Sequence, residues 1–179
     1  LMTIIVLGES ILSSSMALQN AMDLHTINTK LLALVASAIM MIFSMWWLYF
    51  DNTDRNLQKN NPLTFSWSYG HYVIFAAAVG AGLAASVDYL THKTHISAFA
   101  ADAAVAIPTA LYLLGLWFCH EIKCSKHLRD ILPFPLASAL ILITPFTPYA
   151  IPCCALLLVS LLTWRLNKNC QNNAKGRLA

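Results

Sequence analysis

Residues 31–50 form a run of 20 without one charged side chain. A helix rises about 1.5 Å per residue, so such a run reaches across the roughly 30 Å hydrocarbon core of a bilayer. Five more apolar blocks can be read, at residues 1–22, 67–90, 96–118, 131–146 and 149–164. Sheet is excluded for these blocks: open strands cannot satisfy their backbone in lipid, and the residues do not alternate as barrel strands do. Hydrophobic residues make up 58% of the chain and charged residues only 11%. A soluble domain carries about 45–50% and about 25% respectively. The sequence therefore predicts an all-α integral membrane bundle of about six transmembrane helices. The last two blocks are short and joined through Pro145, Pro148 and Pro152. They predict a short Pro-linked hairpin, with one long kinked or re-entrant element as the alternative.

The charges between the blocks carry the topology. Nine lysines and arginines follow blocks two, four and six, and two follow blocks one, three and five. Strict alternation of this kind is what six spans give when cytoplasmic loops keep the positive charge. It puts the protein in the inner (plasma) membrane with a cytoplasmic C-terminus. Trp46, Trp47 and Tyr49 then lie at the inner interface, where amphipathic rings anchor helices. Residues 1–164 read as the transmembrane domain and residues 165–179 as a polar basic cytoplasmic tail. The five cysteines are odd in number and irregularly spaced, so a disulfide framework is not expected. The net charge of +3 sits between apolar blocks, so it belongs to topology and not to nucleic-acid binding. The first block starts without a charged leader and contains Glu9. That argues against a cleaved signal, and suggests that residue 1 lies inside a helix of a longer protein.

Ionisable groups inside spans are the chemically informative ones, because a buried charge must be paired, neutralised or used. Glu9 stands in block one beside Ser10, with Ser13 one turn on and Ser14, Ser15, Gln19 and Asn20 further along. A polar stripe on a membrane helix faces protein or water, which suggests a proton or substrate site. The bland reading is a protonated acid that glues two helices. Asp102 lies inside the outer end of block four, and Asp88 near the outer end of block three. His71 opens block three and can titrate near neutrality, or merely sit at headgroup level. Glu9, Ser10, Ser13, His71, Asp88 and Asp102 are the candidate binding residues; no catalytic residue or metal ligand is assigned.

Three tempting motifs fail. Gly80-x-Gly82-x-x-Ala85 resembles a dinucleotide fingerprint, but it lies within a span with no strand before it. Asp88, His92 and His95 have metal-ligand spacing, yet Lys93 among them fits a solvated turn better. In Cys119-His120-Glu121-x-x-Cys124-x-x-His127, a cysteine stands where a zinc protease has its second histidine, and two lysines oppose a cation. No Walker loop, nucleophile elbow or nucleic-acid motif is present, so no cofactor and no nucleic-acid partner is expected. Block three also carries small residues at helical spacing: Ala76, Gly80 and Ala84, with Ala78, Gly82 and Ser86 beside them. Such a face lets another helix approach closely.

The run Thr3-Ile4-Ile5-Val6-Leu7-Gly8-Glu9-Ser10-Ile11, with Trp46-Trp47-Leu48-Tyr49-Phe50-Asp51 and Tyr69-Gly70-His71, resembles the bacterial low temperature requirement A protein family. The resemblance extends from Thr3 to about Trp164 and is most specific in the first three blocks. It implies a multi-pass membrane protein longer than this chain, with the Leu-Gly-Glu helix near mid-chain. The chain then corresponds to the C-terminal half, and its partners are the bilayer and the N-terminal half of the same protein. The family name records growth at low temperature and implies no activity.

Three functions are compatible with these residues. The leading one is a transporter or channel-like protein for a small solute or ion, with Glu9 in its pathway. A pocket open to water and lined by Glu9, Ser13 and Asp102 would favour it. A membrane enzyme acting on lipid would bring His71 within reach of Ser10. A non-catalytic protein supporting growth in the cold would have every acid paired in a dry core. The charge alternation makes one direct prediction. Cys170 should escape a membrane-impermeant thiol reagent in intact cells and react once the membrane is permeabilised; labelling in intact cells would reverse the orientation.

Overall fold

The computed structural model describes residues 29–53, 97–118 and 132–177, together with Gly8, Ile11, Leu12, Ser15, Gln19, Gly82, Ser86 and Val87. Among the described residues every regular element is helical. Helix α1 is Thr29–Thr53, of 25 residues, and α2 is Ala98–Leu116, of 19. Helix α3 is Pro133–Ile143, of 11 residues, and α4 is Ala150–Arg177, of 28. A single 3-10 turn, Thr144–Phe146, follows α3. Among the described residues three segments are long and apolar enough to cross a membrane: Thr29–Asp51, Ala98–Leu116 and Ala150–Lys168. The fifth apolar block yields only Pro133–Phe146. That is about 20 Å of helix against a core of about 30 Å, too short to cross unaided.

Local chemistry sets the helix ends. Ser97 is extended at the start of α2, and its Oγ accepts the Ala100 amide at 3.2 Å, which caps the helix. Proline opens α3, where its missing N–H costs nothing. Helix α3 tightens and stops at Pro145, which cannot donate to the turn before it. Thr147 is extended, with ψ of 150°, as the residue before Pro148 prefers. Pro152 falls in the first turn of α4, where proline is tolerated. The sixth block is not short. Its helix outlasts the apolar run and continues through residues 165–177, where a polar tail was expected.

The helices run in a definite sense. The Tyr112 hydroxyl near the end of α2 donates to the Met45 carbonyl near the end of α1, at 2.6 Å. The Ser138 hydroxyl in the middle of α3 donates to the Ala110 carbonyl of α2, at 3.0 Å. At the opposite face of the bundle the Phe99 and Phe146 rings lie 5.3 Å apart. Helices α1, α2 and α4 therefore run in one direction and α3 against them. Met41, Met45 and Leu48 of α1 share a buried core with Val105 and Leu113 of α2, Phe134 and Ile141 of α3, and Leu158 of α4. Trp46 and Trp47 remain 42% and 47% exposed at the Asp51 end, the placement expected of interfacial rings.

Block three meets α2 through its small residues. Gly82 and Ser86, one helical turn apart, are the described ones; Ala76, Gly80 and Ala84 lie outside the described residues. A Cβ on Gly82 would run into the carbonyl of Ala104. That carbonyl is special, because Pro108 four residues later has no N–H to give it. The backbone of Gly82 thus closes over an oxygen the helix leaves unpaired, and its Cα hydrogen can point there. Ser86 donates to its own Gly82 carbonyl at 3.0 Å and reaches the Ala101 carbonyl at 3.3 Å. Because the obstacle is backbone, it cannot rotate away. Gly82→Ala should cost about 1–3 kcal/mol through overpacking, read as a lower midpoint in thermal unfolding in detergent. Gly8, whose Cβ would meet nothing within 4 Å, is the control: Gly8→Ala should not lower the midpoint, and its helix propensity should raise it slightly.

Candidate functional site

Two polar positions stand out in an otherwise apolar bundle. The first is at the end of α1. Arg165 of α4 is 4% exposed, and its Nε donates to Asp51 Oδ2 at 2.6 Å. The guanidinium also lies 5.4 Å from the centre of the Phe134 ring, at the start of α3. A charge-assisted hydrogen bond and a cation–π contact together offset the loss of hydration around Arg165. The end of α1 and the start of α3 are thereby held against the middle of α4. Asp51 and Arg165 follow blocks two and six, which the alternation of basic residues had put on the same side.

The second position is Asp102, on α2 about one turn inside Phe99. It is half-buried, and no described residue gives it a hydrogen bond or an ion pair. Nearby, Thr144 Oγ1 donates to the Ile141 carbonyl at 2.7 Å and lies 3.0 Å from Cys154 Sγ. The threonine proton is already committed, so the thiol is the donor in that second contact. Asp102 is close enough to Cys154 for their charges to interact. Thr144 and Cys154 thus join a hydroxyl and a thiol around the turn between α3 and α4, at the same end of the bundle as Asp102. Cys153 and Cys154 are both free thiols. Among the described residues no group of three histidine, cysteine or acidic side chains could hold a metal.

Of the sequence-derived candidates, Asp102 is the one the structure describes. Glu9, Ser10, Ser13, His71 and Asp88 lie outside the described residues, as do the Cys119–His127 motif and His92 and His95. Of the polar residues of block one, Ser15 and Gln19 are the described ones; both are helical and exposed, on one face with Gly8, Ile11 and Leu12. Ile11 and Leu12 are 49% and 59% exposed. Glu9 and Ser13, which define the polar stripe, lie outside the described residues.

Sequence reasoning missed the Asp51–Arg165 pair. It counted Arg165 among tail charges because the apolar run ends at Trp164. A usable signal was present: an acid and a base each directly follow an apolar block, and the charge pattern sets both on one side. The Tyr112 and Ser138 hydrogen bonds left no such trace, since their acceptors are backbone carbonyls, which every residue has.

The family model described as bacterial low temperature requirement A protein (LtrA) matches residues 1–166. No curated protein and no solved structure matches the chain.

The ion pair makes a testable demand. Breaking a buried ion pair by removing one partner costs on the order of 3–5 kcal/mol. Arg165→Ala and Asp51→Ala should each lower thermal stability in detergent by that order. The double variant Asp51→Asn with Arg165→Gln should recover much of the loss, because neither charge is then left alone. A double variant as unstable as the sum of the single ones would show that the two groups act independently.

Proposed function

The chain belongs to the bacterial low temperature requirement A family, and on that footing we propose that it is part of a transporter or channel-like membrane protein for a small solute or ion. In this reading blocks one and three supply two further spans, and α3 with its 3-10 turn forms the short arm of a hairpin with α4. That brings the count to six crossings. The nine-to-two distribution of basic residues supports a cytoplasmic C-terminus in the inner membrane.

The observation that carries the proposal is Asp102. It sits within an apolar span, half-buried, with no hydrogen bond or ion pair to a described residue. An acid that only held helices together would be hydrogen-bonded to the helix it holds, as Tyr112 and Ser138 are. An acid kept without such a partner is available to a proton, a cation or a polar solute. Glu9 is the second acid of the proposed pathway, with Ser10 and Ser13 able to hydrogen-bond either of its protonation states. His71 and Asp88 are the remaining candidates at the two mouths.

Asparagine at 102 and glutamine at 9 keep size and hydrogen bonding but remove titration. In the full-length protein, Asp102→Asn and Glu9→Gln should insert and unfold like the parent. Each should fail to restore growth in the cold to cells lacking the protein. Asp102→Glu and Glu9→Asp should fall between parent and amide, since they keep the charge but shift its reach. Full complementation by both amide variants across a range of pH would make these acids structural and defeat the proposal.

A further inference from the structure

Helices that are level at one end differ in how far they reach toward the other. Arg165 and Asp51 touch, so α4 and α1, which run in the same direction, are level at that point. Outward from there α1 rises about 30 Å to Leu31, the full thickness of the hydrocarbon core. Helix α4 rises only about 22 Å to its first residue, Ala150. The other arm agrees. Phe134 lies against the Arg165 guanidinium, and α3 with its 3-10 turn gains about 20 Å by Phe146. The turn at residues 147–149 thus passes the midplane of the α1 span but stops about 8–10 Å below its outer end.

That turn has backbone to satisfy. The Thr147 amide and hydroxyl both donate to the Thr144 carbonyl, at 2.9 and 2.8 Å. No described residue donates to the carbonyls of Thr147 and Pro148. Pro148 is exposed, and Phe146 and Tyr149 are 77% and 69% exposed, so the described bundle does not cover the turn. Non-helical backbone at membrane depth persists only inside protein or against water, because lipid satisfies no carbonyl. Asp102 stands beside this turn. The Phe99 and Phe146 rings lie 5.3 Å apart, and Asp102 follows Phe99 by one turn of α2, about 4.5 Å deeper. Residues 98–118 and 132–164 contain no other charged side chain.

We propose that the turn between α3 and α4 is the floor of a water-filled recess open to the outer side, and that small cations reach Asp102 through it in preference to anions. Between low-dielectric walls a single carboxylate sets the sign of the local potential. The recess rests on helix lengths, on the Arg165–Asp51 level and on a cytoplasmic C-terminus. Only the use of Asp102 by a solute rests on the transport reading.

The test labels the full-length protein in intact cells. Thr147→Cys and, independently, Tyr149→Cys each add a thiol at the turn, scored as labelling above the parent with its native cysteines. Both should react from outside with small membrane-impermeant methanethiosulfonates, and resist a bulky polyethylene-glycol maleimide until the protein is denatured. Ile39→Cys, on an exposed face of α1 at about the same depth, should stay unlabelled. After correction for reactivity with a free thiol, the cationic trimethylammonium reagent should react about tenfold faster than the anionic sulfonate one. Asp102→Asn should bring that ratio close to one. No labelling of either turn thiol from outside, or labelling only after permeabilisation, overturns the recess. Equally fast labelling by the bulky reagent overturns it too, since the turn then lies at the surface. So does labelling of Ile39→Cys at the same rate, since water then reaches that depth without a recess. A ratio near one with Asp102 in place, or a cation preference that survives Asp102→Asn, removes Asp102 from the recess. These rates need no growth or transport assay, so the recess can fail while Asp102→Asn still loses growth in the cold, and can hold while that variant complements.

Discussion

An arginine in a bundle of apolar helices cannot be left without a counter-charge, and much of this architecture follows from how Arg165 is answered. Its Nε reaches from the middle of α4 to Asp51 near the end of α1, and its guanidinium carbon lies over the Phe134 ring. These contacts bring the start of α3, the end of α1 and the middle of α4 to one level. Once that level is set, helix length dictates the rest. Helix α4 must start near the turn that follows α3, and α2 must place Phe99 against Phe146. Water offers exposed salt bridges little, because both ions are already well solvated. Around a residue only 4% exposed the balance changes, since the alternative to pairing is an unsolvated charge.

The remaining cohesion comes from backbone carbonyls. Apolar side chains gain little by leaving lipid for one another, so close packing and interhelical hydrogen bonds must hold the helices. Tyr112 and Ser138 each donate to a carbonyl of a neighbouring helix, and Ser86 shares its proton between its own Gly82 carbonyl and the Ala101 carbonyl of α2. Gly82 closes on the Ala104 carbonyl that Pro108 leaves unpaired. Proline, glycine and hydroxyl groups thus act together: one frees an acceptor, another permits approach, and the third supplies donors. The acid that stays outside this scheme is Asp102. Among the described residues, the buried hydroxyls of Ser86, Thr109, Ser138 and Thr144 each bond a backbone carbonyl, and none bonds Asp102.

The bundle also has two unlike ends. One has the ion pair, the tryptophans of α1, and Trp164 with Lys168. The other has Asp102, Thr144 and Cys154 around a proline-rich turn. A protein that handled a solute at the second end would still need the first held firm, so that the spans move as one body.

The sequence by itself determined the class of structure, because hydrocarbon thickness and backbone hydrogen bonding leave helices as the solution for uncharged runs of this length. Blocks two and four could be read closely, since charged or turn-forming residues bound them on both sides. The sixth block was read too short at Trp164, because apolarity marks where a span ends and not where a helix ends; lysine, asparagine and glutamine continue a helix readily. The charge alternation also implied that Asp51 and Arg165 share a side. Only the tertiary structure decided that they touch, that Gly82 meets Ala104, and that Tyr112 and Ser138 bond across helices. Those facts depend on rotation and register, which hydropathy does not record: a helix turned by a third of a circle keeps its apolar count while every contact changes. The exposure of Ser15 and Gln19 and the lack of a described partner for Asp102 belong to the same category, since orientation within the bundle separates a lining residue from a surface one.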